Sequence, residues 1–299
     1  MGGPMAEDEF TAYHSLGEDS EDHRWAFGTG FTDPLEGIDM SVPEGIDPPA
    51  LAAYCLALGD DALIYSHRLQ QWLTRLPELE EETALANIAL DLLGQARMLL
   101  ARAAKADPSL GADEDAVAFL RESRQFRNVR LVERHDDDFA ELVARLLVFA
   151  TWRLALFTKL STSGDPVLAA IAAKGAKELA YHRDYAGQWV VRLGDGTGES
   201  RARMQRALGT LWPLVGELFV TTGVEQALPG TAVDPALVQP ETDAVIDTVL
   251  ATAGLDRPDV APLGTLAGRA GRDGVHTEAL GYVLAELQSV ARAHPDATW

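Results

Sequence analysis

At 299 residues and 47% hydrophobic, the chain is long enough for one large or two ordinary domains and apolar enough for a sizeable core. Its net charge of −21 excludes nucleic acid and anionic membrane surfaces as partners, because both select a basic face. Cys55 is the one cysteine, which excludes an intramolecular disulfide and suits a reducing cytoplasm.

Residues 1–46 read as an acidic extension rich in Gly, Pro, Asp and Glu. Residues 1–47 hold 12 Asp/Glu against a single basic residue, Arg24. Such a composition predicts disorder in isolation, with Trp25, Phe27 and Phe31 as the groups able to dock on a surface. The start lacks the basic and apolar regions of a signal peptide. No run approaches the ~18 apolar residues of a membrane span.

Residues 47–299 read as helical throughout. Asp47-Pro48-Pro49 supplies an N-cap and a first-turn proline, and predicts a helix over 48–75 that stops near Pro77. Glu80–Glu82 suit the positive start of a second helix, 78–106. Along it Leu85, Ile88, Ala89, Leu92, Ala96, Leu99 and Ala103 recur at helical spacing. Residues 113–134 suggest a shorter, more polar accessory helix. A third long helix is expected over 138–163, and a fourth over 166–193, where Asp165-Pro166 repeats the capped start and Gly194 the stop. Accessory helices are expected over 199–222, bent at Pro213, then 240–254 and 277–293. Loops are expected over 223–238 and 255–274. No window alternates strictly, so the fold class is all-α. Two helical pairs joined by a longer connection suit a ferritin-like four-helix bundle with additional C-terminal helices.

A bundle of that kind holds two irons with one Glu from each of two helices and a Glu-x-x-His from each of the other two. The i, i+3 spacing stacks both ligands on one helix face. Here the first helix offers only Asp60 and Asp61 in its interior. The second offers Asp91-Leu92-Leu93-Gly94-Gln95, and the fourth Glu178-Leu179-Ala180-Tyr181-His182, an acid and a polar residue four apart instead of three. The third has no acid between Leu142 and Gly164, so it lacks the bridging carboxylate that a pair of hard cations needs. If Leu92 and Leu179 stand at former Glu positions, the remaining acids are rotated about 100° off the metal-facing line, one residue of helix. The plain readings are a hydrogen-bonded core His182, solvated or salt-bridged Asp91 and Glu178, a helix-start acid cluster at Glu80–Glu82, and a helix start at His276-Thr277-Glu278. No phosphate loop or nucleophile elbow is present. Gly194–Gly198 reads as a plain loop.

Several stretches resemble one family in order along residues 50–299. They include Pro77–Leu99, Leu58-Gly-Asp-Asp61, Ala118–Arg121 with Phe126-Arg-Asn128, and Ala155–Thr158. Further along lie Ala170–Lys174, Lys177-Glu178 with Tyr181-His182, and Gly274–Glu278 with Leu280-Gly281. The chain resembles the C subunits (PaaC) of the bacterial ring-1,2-phenylacetyl-CoA epoxidases. The resemblance implies a ferritin-like fold and a role in aerobic phenylacetate breakdown. It implies no cofactor in this chain and a catalytic, ferritin-like di-iron subunit as its partner, with a reductase supplying electrons. It also places Ala150 where some relatives have an acid. Read this way, Asp60, Asp61, Asp91, Leu92, Gln95, Ala150, Glu178, Leu179 and His182 mark a vestigial di-iron site, with no catalytic residue. The rival readings are an active di-iron oxidase, which iron analysis would separate, and a general helical adaptor, which co-purification would.

Overall fold

The computed structural model describes residues 35–76, 78–295 and 297. Residues 1–34 and Pro77 lie outside the described residues, and with them most of the expected extension, the docking of Trp25, Phe27 and Phe31, and the helix stop at Pro77. The unit that carries the helices begins at Gly37, ahead of the expected boundary at 46.

Four long helices form the bundle: α1 (Pro48–Gln70), α2 (Leu79–Ala106), α4 (Phe139–Leu160) and α5 (Pro166–Gly194). Between the pairs lies the short α3 (Glu114–Phe119). The caps form as their residues require. Asp47 accepts from the Ala50 N–H at 3.2 Å, Asp138 from Glu141 at 3.0 Å, and Asp165 from Leu168 at 2.8 Å. α1 packs along α2 and α4 along α5, and the pairs meet through α2 and α5. The long connection from α2 to α4 makes this the ferritin-like arrangement.

Beyond the bundle come α6 (Gly198–Leu211), continued by a 3₁₀ stretch at Trp212–Phe219, α7 (Gly223–Ala227), α8 (Gln239–Ala253) and α9 (Glu278–Ala293). The change of helix type at Pro213 is the expected bend. α6 and α8 lie against α4 and α5, while α9 touches α1 and α3. α1 and α4 are therefore buried nearly all round, whereas α2 and α5 bury one face each. Among the described residues there is no strand, only one isolated bridge between Leu266 and Arg269.

Three elements differ from the sequence reading. α1 ends at Gln70, five residues short of Arg75, because the chain turns back through three-residue hydrogen-bonded turns and Thr74 adopts a φ of +72°. Residues 113–134 are not one helix. After α3 only two 3₁₀ turns occur, Ser123–Gln125 and Arg130–Glu133. The Arg127 and Val129 N–H groups point at Asp60 and Asp61 instead of at their own helix. The expected loop over 223–238 contains α7 and a 3₁₀ turn. Thr222 and Glu225 form a reciprocal capping box there, a short signal the apolar pattern hides. Also against expectation, Leu79–Ala106 and Gly198–Ala227 are long and apolar enough on average to cross a membrane; both stretches bury apolar side chains in the fold.

Candidate functional site

Each bundle helix carries its expected site position near mid-length, and the structure shows what each one does. Asp60 and Asp61 of α1 are fully buried, and neither is free to hold a metal ion. Asp60 accepts from both terminal nitrogens of Arg121, at 3.1 and 2.5 Å, and from the Arg127 N–H at 2.8 Å. Asp61 accepts from Arg272 at 3.0 and 2.7 Å and from the Val129 N–H at 2.8 Å. Burial pushes the Asp61 carboxyl upward, and the facing guanidiniums of Arg272 and Arg153 pull it back. The two aspartates thus pin the 121–130 strap and the 271–274 turn across α1.

On α2 and α5 the polar side chains pair with each other. Gln95 is buried and donates to Glu178 at 3.0 Å, and Glu178 in turn holds Lys174 one turn earlier. His182 is buried, with its Nε2 at 2.9 Å from Asp91 and its Nδ1 facing no protein partner. The hydrogen-bonded reading of His182 and the salt-bridged reading of Glu178 hold in this geometry. Leu92, Leu179 and Ala150 are fully buried apolar positions.

Arg153 of α4, one turn beyond Ala150, stands at the meeting of these positions. Its Nε donates to the Gln95 side-chain oxygen at 3.0 Å. Its guanidinium lies over the ring of Phe157 at 4.4 Å and over that of Phe149 at 5.7 Å. Burial pushes the group down to about 10, partly offset by the negative charges of Asp61 and Glu178, so it is a cation at neutral pH. A lone arginine in the run Leu146–Leu160 is a legible signal, but a search for acids on this helix passes over it. The helix that ought to supply a bridging anion supplies a positive charge.

The donor set therefore does not fit two iron ions. Asp60, Asp61 and Glu178 are committed to Arg121, Arg272 and Lys174, Asp91 faces His182, and the buried Arg153 guanidinium stands beside Gln95. Among the described residues no group of three His, Cys, Asp or Glu could hold a metal ion.

Two other carboxylates carry as much structure. Glu133, fully buried, accepts from Asn128 at 3.0 Å, from the Thr277 N–H at 2.7 Å and from the Thr277 hydroxyl at 2.5 Å, with His276 Nδ1 at 2.7 Å. The His276-Thr277-Glu278 helix start is thereby clipped to the strap. Glu81 does more than favour the start of α2. It accepts from the Tyr185 hydroxyl at 2.6 Å and from the Trp189 indole at 2.9 Å, joining α2 to α5.

The family model described as "Phenylacetic acid catabolic protein" matches residues 41–299. The chain is 43% identical over 251 residues to the C subunit of the 1,2-phenylacetyl-CoA epoxidase of Escherichia coli (strain K12), covering 83% of this chain and 99% of that one.

Proposed function

Since the chain belongs to the phenylacetic acid catabolic protein family, we propose that it is the C subunit of a phenylacetyl-CoA epoxidase and serves that complex as a structural partner, without a metal centre of its own. The observation that carries this reading is the Arg153 guanidinium at the centre of the bundle, hydrogen-bonded to Gln95 where a ligating histidine is expected. A di-iron bundle gathers anionic ligands around two cations. This one partners its remaining anions with arginine, lysine and histidine, so the helices keep their spacing with no metal to hold. Its partner is then a ferritin-like subunit that carries the di-iron centre and epoxidises the aromatic ring of the CoA thioester. This chain contributes a rigid surface and no reacting group.

The experiment combines elemental analysis of the isolated chain with sizing after co-expression with the other epoxidase subunits. The expected result is no stoichiometric iron in the isolated chain and stable co-elution with the catalytic subunit. About two irons per chain with a bridged di-ferric absorption band would overturn the metal-free reading. Subunits that stay apart at micromolar concentration would overturn the partnership.

A further inference from the structure

Arg102, Arg121 and Arg145 are buried, and each places a terminal nitrogen on a carboxylate: Asp165, Asp60 and Asp136 in turn. Each also donates to backbone carbonyls. Arg153 is built the other way round. Its Nε is the part that is satisfied, by the Gln95 side-chain oxygen at 3.0 Å. Among the described residues neither of its terminal nitrogens has a hydrogen-bond partner, although both are closed to solvent. The ring of Phe157 at 4.4 Å and that of Phe149 at 5.7 Å cover the guanidinium. What is left to be met is the edge that carries the two terminal nitrogens. A buried N–H without an acceptor is costly, a charged one more so, and native interiors rarely leave one in that state.

Charge says what meets it. The charged groups that act on Arg153 are Asp61, Glu178 and Arg272. Asp61 is already paired with Arg272 at 2.7 Å, and Glu178 with Lys174. Burial pushes the Tyr54 phenol upward, so this neighbour is neutral and supplies no charge. Asp91 of α2 is part-exposed and held by His182 at 2.9 Å. Around Arg153, then, three cations (Arg153, Arg272 and Lys174) face two carboxylates, and one negative charge is missing. A water molecule would give the terminal nitrogens an acceptor and leave that charge unmatched in a low-dielectric interior. An anion supplies both.

We propose that Arg153 anchors a buried anion site within the bundle, and that its ligand is one small monovalent inorganic ion, chloride. The side-by-side terminal N–H groups of a guanidinium form the fork that grips anions. A doubly charged ion would overshoot the one missing charge. A larger organic anion meets α1 and α4, both buried nearly all round. The ion neutralises a cluster assembled from all four bundle helices: Asp61 of α1, Gln95 of α2, Arg153 of α4 and Glu178 of α5. Chloride is thus a stabilising ligand of the folded chain, whichever subunit the chain meets.

The test has two arms, both on the full-length chain. In the first, urea unfolding is followed at constant ionic strength while sodium gluconate, whose anion is too large for the site, is replaced stepwise by sodium chloride. A ligand held by the folded state alone shifts the equilibrium in proportion to its concentration above its Kd. The folding equilibrium constant of wild type should therefore rise by up to about tenfold for each tenfold rise in chloride, and that of Arg153→Met should not respond. In the second, the chain is refolded in sodium bromide and crystallised. Bromide should scatter anomalously at hydrogen-bond distance from both terminal nitrogens of Arg153, a result that needs no variant to fold. Density at that place without anomalous signal is water and overturns the proposal, as does no density at all. An equal chloride response in wild type and Arg153→Met is general salt stabilisation and overturns it too. If wild-type stability ignores chloride, a bromide peak is binding at crystal concentration only, and the proposal is wrong.

Discussion

At the scale of single residues, the interior is unusual for how much of its charge is guanidinium. Arg102, Arg145 and Arg153 are among the largest fully buried side chains. Arg102 and Arg145 are paired with Asp165 and Asp136, but Arg153 has one neutral hydrogen-bond acceptor and two aromatic faces. Substitution should separate its charge from its volume. Arg153→Met keeps the length and removes a cation whose burial is costly, so it should change stability by no more than about 1–2 kcal/mol. Arg153→Glu places an anion beside Asp61 and Glu178 and should cost about 3–5 kcal/mol. Urea unfolding at neutral pH measures both. If the Met variant loses as much as the Glu variant, packing on Phe149 and Phe157 is what matters, and the charge of Arg153 is incidental. Leu92 and Leu179 give a second comparison. Both are fully buried, so Leu92→Glu with Leu179→Glu should lose several kcal/mol through desolvated carboxyls. Leu90→Glu, at an exposed site on the same helix, should stay within about 0.5 kcal/mol of wild type in the same unfolding measurement.

At the scale of elements, the junction between α4 and α5 rests on Asp165. It caps α5 at the Leu168 N–H and pairs with Arg102 of α2, which also donates to the Met40 carbonyl at 2.6 Å and the Ser41 carbonyl at 3.2 Å. Asp165→Ala therefore removes a cap and leaves a buried guanidinium without its anion. A loss of about 3–5 kcal/mol is expected in chemical denaturation. Asp165→Asn keeps the cap and should recover about 1 kcal/mol of it. The Asp-Pro start of this helix is legible in the sequence because capping is local chemistry. So are the lengths of α2, α4 and α5, each set by an apolar stripe and its punctuation. The 113–134 strap is not legible. Its apolar residues have helical spacing, but its backbone donors are claimed by Asp60 and Asp61, about seventy positions earlier in the chain, and nothing local announces such a pairing. The same blindness hides the roles of those two aspartates. Their mid-helix position suggests ligands, whereas their partners, Arg121 and Arg272, lie in a strap and a turn that periodicity cannot place. The polar couples Gln95–Glu178 and Asp91–His182 are legible as positions on two helices, but their pairing emerges only from the geometry.

At the scale of the whole molecule, titration and chain length both probe how the core is closed. Burial pushes the Cys55 thiol and the Tyr54 and Tyr65 phenols upward from ordinary values of 9.0 and 10.0. All three bind their protons more tightly in the folded state than in the unfolded one. Their contribution to stability is fully present below about pH 9 and is lost as pH rises through the alkaline range. The melting temperature should hold level between pH 7 and about 9, then fall, with Cys55 unreactive toward a thiol reagent until the chain unfolds. A melting temperature that holds level through pH 11, or a thiol that reacts in the native state, would contradict the closed core.

Truncation asks where the folded unit begins. The Met40 and Ser41 carbonyls are acceptors for Arg102, whose guanidinium is buried beside Asp165. A chain beginning at Gly37 keeps both acceptors and should melt within a few degrees of the full-length protein, a shift of less than about 1 kcal/mol for a domain of this size. A chain beginning at Ile46 loses both, leaving charged donors short of partners in a site closed to water, and should lose about 1–3 kcal/mol. The decisive comparison adds Arg102→Met to each chain. If the contacts to residues 40 and 41 are the reason for the loss, the two truncated chains should become equal in stability once Arg102 is gone. If the chain beginning at Ile46 remains weaker by the same margin, residues 37–45 act through packing of their own side chains and not through Arg102.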